Sequence, residues 1–127
     1  MTDPTTTLEI RTTITDQGKL ELNLEEAELP PLGEGDVLVR VEASPINPSD
    51  LGLLFGPADM TTAKASGSAE RPVVTAEIPP KLLPAVAARV GQSLPVGNEG
   101  GGVVIAAGSS DAAQALLGRT VGTIGGG

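Results

Sequence analysis

The chain has 127 residues, with 16 acidic and 8 basic side chains and a formal net charge of −8, a length that supports one domain with a modest core. The acidic balance and the scattered basic residues exclude a nucleic-acid-binding function, which depends on clustered Lys and Arg. With neither Cys nor His, the chain has no disulfide, thiolate nucleophile, Ser-His-Asp triad or ordinary zinc site.

The N-terminal stretch and the hydropathy of the chain predict its location in the cell. The N-terminal stretch MTDPTTTLEI has neither a basic region nor an apolar region, so it does not predict a secretory signal. No apolar stretch reaches the length that crosses a membrane. We therefore expect a cytoplasmic protein without a membrane partner.

The first part of the chain predicts a β-hairpin and a third strand. Residues 5–15 are rich in Thr and Ile, and residues 19–24 alternate polar and apolar side chains as a half-buried strand does. Residues 16–18, Asp-Gln-Gly, predict the turn between them. After a Pro/Gly loop at 29–36, residues 37–44 form the clearest strand pattern in the sequence.

The stretch INPSDL follows this strand. Pro48 restricts Asn47 to an extended conformation. Either Ser49 or Asp50 can cap a short helix that begins here, and Asp50 also suits a polar contact in a cleft. We expect Phe55, the single aromatic residue, to pack this segment onto the core.

Residues 57–94 differ in composition and patterning from the rest of the chain. The stretch 58–72 is small, polar and weakly patterned, which predicts an exposed loop. The stretch 79–94 carries apolar residues at helical spacing and predicts a short amphipathic helix, with Pro80 near its start and Gly91 near its end.

The segment GNEGGG, residues 97–102, predicts a tight turn before a strand at 103–107. It lacks the Lys-Ser/Thr of a P-loop and the G-x-G-x-x-G spacing, and it precedes a strand rather than a helix, so phosphate binding is disfavoured. Gly97 and Gly100 are expected to serve close backbone packing. Glu99 is either a general base, if buried, or a structural hydrogen-bond acceptor, and we favour the structural role.

The last part of the chain predicts a loop or one helical turn at 109–118 and a final strand at 119–124. The Gly-Gly-Gly end predicts a loose C-terminus and unpaired strand edges, which favour self-association into a homodimer. The sum is a mainly β (α+β) chain with one or two short helices. A small closed or partly closed barrel fits this description.

Three stretches in order carry a family resemblance: PPLGEGDVLVRVEASPINPSDL, LPVGNEGGGVVIAAG and LLGRTVGTIGGG. Together they resemble the N-terminal catalytic domain of the medium-chain dehydrogenase/reductase superfamily, in its zinc-free quinone oxidoreductase and enoyl reductase branch. The resemblance implies a GroES-like, partly open β-barrel over residues 1–127. Residues 57–94 look like an insertion into that domain.

The resemblance also implies a vacated metal site. In the zinc alcohol dehydrogenases of this superfamily, a Cys and the His of a Gly-His-Glu motif are metal ligands. The matching positions here are Asn47 and, within Gly97-Asn98-Glu99, Asn98. Because an amide binds zinc poorly, we expect no metal.

The implied activity is NADPH-dependent hydride transfer to a quinone or to the activated double bond of an enone or enoyl thioester. By resemblance, Asn47 is the expected catalytic and cofactor-binding residue, on the nicotinamide or ribose side, and Asp50 holds its turn near the cofactor. Relatives place a Tyr shortly after this Asp, whereas this chain has no Tyr.

No Rossmann unit with a glycine fingerprint occurs in this chain. We therefore expect a fragment, inactive alone, whose partners are a missing cofactor-binding domain and a small-molecule substrate. The alternative is a stand-alone GroES-like binding or assembly module without catalysis. In that case residues 57–94 would be a partner-binding loop, since long loops in compact domains are often functional.

Overall fold

The computed structural model describes residues 3–125 and is mainly β, as the sequence predicts. The strands are β1 (Thr6–Ile14), β2 (Lys19–Glu28), β3 (Val37–Ala43), β4 (Asp59–Gly67), β5 (Pro72–Glu77), β6 (Ser93–Pro95), β7 (Glu99–Ala107) and β8 (Thr120–Ile124). The α-helices are α1 (Leu51–Leu54) and α2 (Asp111–Gln114), and 3-10 helices span Pro48–Asp50 and Pro80–Arg89. The loose C-terminus was expected at Gly125–Gly127: the Gly125 N–H donates to the Asn98 carbonyl, and Gly126 and Gly127 lie outside the described residues.

The chain divides into two compact units. The unit made of Met1–Thr7, Ala27–Ile46 and Gly97–Gly127 holds an open antiparallel sheet in the order β3-β7-β8, and we call it the three-stranded unit. The unit made of Leu8–Glu26 and Asn47–Val96 holds most of a sheet in the order β4-β5-β2-β1-β6, and we call it the five-stranded unit. The division passes through β1 and β2.

The predicted hairpin is present as β1 and β2, which are neighbours in the sheet. Its turn is closed by two hydrogen bonds: the Thr15 N–H donates to the Lys19 carbonyl at 2.8 Å, and the Gly18 N–H donates to the Thr15 carbonyl at 3.1 Å. Gly18 has a φ of +75°, which a residue without Cβ adopts without strain.

Residues 57–94 contain more regular structure than expected. The predicted exposed loop at 58–72 is wrong, because β4 fills most of it and pairs antiparallel with β5 from Gly67↔Pro72 to Lys64↔Thr75. β4 is an outer strand with mostly exposed side chains, so it needs no apolar alternation in its sequence. For that reason its small polar residues resemble a loop.

The predicted helix at 79–94 is a 3-10 helix over Pro80–Arg89. Pro80 does lie at its start, and Gly91 follows its end with a φ of +78°. Pro84 lies inside the helix and lacks the N–H that an α-helical hydrogen bond needs there. Leu83 and Val86, three residues apart as one 3-10 turn requires, pack against the core.

The core of the five-stranded unit is aliphatic. Ile14, Leu20 and Ile78 form its buried centre. Leu20 lies opposite Ala76 of β5, also buried, so one face of this sheet is covered. Phe55 is 38% exposed and does not belong to this cluster, contrary to the prediction, whereas Ala58 packs against it.

In the three-stranded unit, β7 begins at Glu99, so the glycines at 100–102 belong to the strand and the predicted glycine turn is too long. β7 is the central strand, and Gly102 lies opposite Val41 of β3. A Cβ at Gly102 would lie 2.8 Å from the Arg40 carbonyl carbon, which is closer than real Cβ contacts allow. The glycine therefore permits the close approach of two backbones.

The rest of the three-stranded unit follows the sequence pattern. Ser110 caps α2, because its hydroxyl accepts the Ala113 N–H at 3.1 Å, and this confirms one helical turn. The predicted last strand is present as β8, which pairs with β7.

Candidate functional site

The first candidate segment is a rigid turn at Asn47–Asp50. Asn47 has an extended backbone, with φ −87° and ψ 156°, and occupies the cap position of the 3-10 helix that starts at Pro48. The Asp50 carboxylate accepts the Asn47 N–H at 2.7 Å, and the Asp50 N–H donates to the Asn47 carbonyl at 2.9 Å. Two hydrogen bonds between the same two residues therefore close the turn.

The local sequence explains this turn. Pro48 fixes its own φ and keeps the preceding Asn47 extended, which leaves the Asn47 N–H directed at the carboxylate three residues later. A hydrogen bond to an ionised carboxylate is roughly twice as strong as a neutral one. The residue at the cap is therefore Asn47, rather than the predicted Ser49 or Asp50.

Asp50 is buried, with 3% of its surface exposed. It also precedes α1, but its side chain makes no cap hydrogen bond to that helix. Asn47 is half-buried. The turn thus combines a buried carboxylate with a half-buried Asn47, and the carboxylate fixes the Asn47 backbone.

The second candidate segment begins β7. Gly97 has a φ of +111°, a conformation that favours glycine, and Gly100 is buried. Asn98 and Glu99 are exposed. The exposure of Glu99 removes the burial on which its alternative as a general base depended.

Hydrogen bonds join this segment to the end of β8. The Asn98 carbonyl accepts the Gly125 N–H, and Glu99 lies opposite Ile124 in the strand pair. The Thr123 hydroxyl donates to the Gly100 carbonyl at 3.3 Å. The segment is therefore held at Asn98 and at Gly100 by Gly125 and Thr123 at the end of β8.

The predicted site residues fall into two local groups. Asn47 and Asp50 share one turn in the five-stranded unit, whereas the four residues Gly97, Asn98, Glu99 and Gly100 share the start of β7 in the three-stranded unit. Among residues 3–125, no group of three or more His, Cys, Asp or Glu side chains is placed to hold a metal ion.

The residues present fit only one end of a dinucleotide. The amide of Asn47 offers a donor and an acceptor, which suit a nicotinamide carboxamide or a ribose hydroxyl. The glycine-rich segment at 97–102 continues into β7, so it does not present the helix N-terminus that binds a pyrophosphate. The phosphates of a dinucleotide would need residues beyond those that these two segments supply.

Two cavities lie away from the residues that the sequence singled out. One, of about 350 Å³, lies in the five-stranded unit where β4 leaves β5 between Asp59 and Lys64. The other, of about 330 Å³, lies in the three-stranded unit and is lined mainly by Pro30, Pro31 and neighbouring leucines. Neither cavity is lined by a predicted site residue.

The wall of the first cavity is held by a carboxylate. Asp59 accepts the Thr61 N–H at 3.0 Å and the Thr61 hydroxyl at 2.6 Å. These two hydrogen bonds, the hydroxyl first, hold the pKa of Asp59 below its usual range. The spacing Asp-x-Thr at 59–61 is the sequence signal that could have predicted this turn.

No model of a known protein family matches this chain, and no curated protein matches it. Within residues 3–125 there is no helix whose length and hydropathy would let it cross a membrane.

Proposed function

We propose that this chain is the catalytic-domain part of a zinc-independent, NADPH-dependent oxidoreductase that transfers a hydride to a quinone or to an activated double bond. The observation that carries the proposal is the turn at Asn47–Asp50. Its buried carboxylate accepts the Asn47 N–H at 2.7 Å, so the half-buried Asn47 side chain is carried on a fixed backbone. Fixed placement of a polar group is what a hydride-transfer site requires of the protein.

In the proposed site, the chain binds and orients while the cofactor carries the chemistry. NADPH supplies the hydride when it is bound. Asn47 holds the nicotinamide carboxamide or the ribose by hydrogen bonds from its amide. Asp50 is a positioning residue, because it acts on the cofactor only through the Asn47 backbone.

The proposal includes a GroES-like arrangement of the strands and a cytoplasmic protein. The mainly β architecture with open antiparallel sheets supports that arrangement at the level of fold class. Asn98, like Asn47, carries an amide where the zinc enzymes of the resembled superfamily have a ligand, and the proposal accordingly has no metal. A separate cofactor-binding domain and the small-molecule substrate complete the site.

The test begins with the reading frame beyond the codon for Gly127. We expect it to continue into a strand, a glycine-rich turn and a helix, and the protein so encoded to oxidise NADPH in the presence of a quinone or an enone. Asn47→Ala should lower kcat/KM about 10- to 100-fold, as the loss of a positioning group does. Asp50→Asn should lower it less, because the side chain keeps its shape.

The matched control is Asn23→Ala, which removes an amide from β2 that hydrogen bonds to Glu25 at 3.3 Å. It should leave kcat/KM unchanged. An encoded protein that neither binds nor oxidises NADPH overturns the proposal, and so does an Asn47→Ala enzyme as active as the parent.

In the alternative of a stand-alone binding module, residues 57–94 would be a partner-binding loop. Most of this segment forms β4, β5 and the 3-10 helix, and Leu83 and Val86 of that helix pack on the core of their own unit. Limited proteolysis of the chain without any partner tests the point. We expect residues 72–90 to resist cleavage, whereas rapid cleavage there would favour the binding module.

A further inference from the structure

β8 forms one outer edge of the three-stranded sheet, with β7 as its neighbour. Their pairing runs from Glu99↔Ile124 to Val103↔Thr120. Within residues 3–125, no strand pairs with the other side of β8. Its residues alternate between exposed and half-buried, and Ile124 at its end is 101% exposed.

The hydrogen bonds of the sheet show which backbone groups face outward. The Gly125 N–H donates to the Asn98 carbonyl, and the Val104 N–H donates to the Arg119 carbonyl at 3.0 Å. Hydrogen-bonded pairs alternate along an antiparallel ladder, so every second residue of β8 bonds to β7. The N–H and C=O groups of residues 120, 122 and 124 therefore point toward the open side.

The other outer strands carry features that discourage pairing with a further strand. β4 has Lys64 in its paired half and a bulge before it, and β6 has only three residues and ends in a proline. β3 carries Arg40 and Glu42, ion-paired at 2.9 Å, and its register is irregular at two points.

β8 has none of these protective features. Its sequence, TVGTI, contains no charged residue and no proline, and every residue except Gly122 is β-branched. An exposed, uncharged edge of this composition is a template for another strand.

We propose that β8 pairs with β8 of a second copy of this chain, antiparallel about Gly122, so that the two three-stranded sheets join into one. Thr120 then lies opposite the partner's Ile124, and Gly122 lies opposite the partner's Gly122. The outward groups of residues 120, 122 and 124 are placed symmetrically about Gly122, so each N–H meets a carbonyl.

The side chains and charges of β8 favour a second copy as the occupant. β-branched side chains oppose each other on both sides of Gly122, and such cross-strand pairs stabilise a sheet. Because β8 holds no charged residue, pairing it with its own copy places no like charges opposite each other, although the chain as a whole has a net charge of −8. An interface made of one pair of five-residue strands buries little surface, so the dimer is weak and its population depends on protein concentration. The pairing is independent of the proposed oxidoreductase activity.

The experiment is sedimentation equilibrium of the full chain over a concentration series, with hydrogen exchange at the Gly122 N–H. We expect a monomer–dimer equilibrium, and slower exchange of this amide as the dimer forms. Gly122→Lys places like charges opposite each other and should weaken the dimer at least about fivefold. The substitution fits the fold, because a Cβ at Gly122 meets nothing closer than the Gly100 carbonyl oxygen at 3.9 Å.

The matched control is Gly35→Lys, which changes the charge of the same unit equally at a site where a Cβ meets nothing within 4 Å. It should leave the dimer intact. A wild-type chain that stays monomeric at every concentration overturns the proposal, and so does a dimer that Gly122→Lys leaves unchanged.

Mixing two variants tests the symmetry of the pairing. Gly122→Lys and Gly122→Glu should each be largely monomeric alone, whereas their equimolar mixture should form heterodimers through the opposed Lys and Glu. A mixture that remains monomeric, although each variant keeps the circular dichroism spectrum of the parent, rules out pairing about Gly122.

Discussion

The two units of this protein are packed by different means. In the five-stranded unit, branched aliphatic side chains fill the interior around Ile14, Leu20 and Ile78. In the three-stranded unit, glycines let backbone lie against backbone: a Cβ at Gly102 would collide with β3, and one at Gly108 would lie 2.7 Å from the Glu34 carbonyl carbon. The five-stranded unit thus depends mainly on side-chain volume, whereas the three-stranded unit combines buried side chains such as Val104 with close backbone contacts at two glycines.

This difference bears on the structural role of the glycine-rich segment at 97–102. In the sequence, GNEGGG predicts a tight turn with close backbone packing, and phosphate binding is disfavoured. In the structure, Gly100–Gly102 lie within the central strand, and at Gly102 the glycine is required by the neighbouring chain segment. A cluster of glycines can therefore be a packing element as specific as a cluster of leucines.

The largest expected effect is a loss of side-chain volume in the five-stranded unit. Leu20 is 1% exposed, so Leu20→Ala should lower the free energy of unfolding by about 3 kcal/mol, through lost burial and the cavity that remains. Urea unfolding measures the change. Leu51→Ala in the same unit, where the leucine is 41% exposed, is the control and should cost less than about 1 kcal/mol. Equal losses in the two variants would show that this unit does not depend on its aliphatic core.

A smaller loss of stability is expected when one methyl group is added to the backbone of the three-stranded unit. Gly102→Ala should destabilise by about 2 kcal/mol, because the new Cβ meets the backbone of Arg40 and Val41, which cannot rotate away. Gly101→Ala is the control one residue earlier, where the nearest atom is the Val121 carbonyl oxygen at 3.7 Å. Thermal unfolding followed by circular dichroism should separate the two variants, and similar midpoints would contradict the close-packing interpretation.

A change in the opposite direction is expected at Thr12. Its hydroxyl oxygen is buried and has no hydrogen-bond partner, and the residue is fully buried. Thr12→Val keeps the shape and removes the unpaired polar group, so it should raise the free energy of unfolding by about 1 kcal/mol. Thr13→Val, at a half-buried neighbour on the other face of β1, should change it by less than about 0.5 kcal/mol. A destabilised Thr12→Val chain would mean that the hydroxyl is satisfied in solution.

The smallest effect concerns a single exposed carboxylate. The Thr61 hydroxyl and N–H lower the pKa of Asp59, so the hydrogen bonds favour the folded state above the ordinary pKa, and this contribution is lost as the pH falls through the lowered value. Thr61→Val should move the pKa of Asp59 back toward its ordinary value, whereas Thr61→Ser, which keeps the hydroxyl, should not. A carboxyl-carbon NMR titration measures both variants, and an unchanged Thr61→Val curve would mean that the hydroxyl contributes nothing.

Some features of the candidate site depend on local contacts and others on contacts between distant parts of the chain. The extended Asn47 and the short helix after it were predictable, because Pro48 acts within one short segment, whereas the cap residue was predicted wrongly. The surroundings of Glu99 were not predictable, since its exposure depends on where β7 begins and how β8 pairs with it. The absence of Cys and His limits the metal chemistry of the chain whatever its fold.

The elements with a local signal can be read from the amino-acid sequence alone: the hairpin of β1 and β2, the strand β3 and the last strand β8. Period-two alternation and a Gly turn act over a few residues and do not depend on the fold. The position of β4 at an outer edge and the need for a glycine at residue 102 emerge only from the folded chain. Both depend on backbone that is distant in the sequence. An edge strand needs no apolar pattern, so its sequence does not reveal it, and the close approach of two strands shows in the sequence only as a glycine.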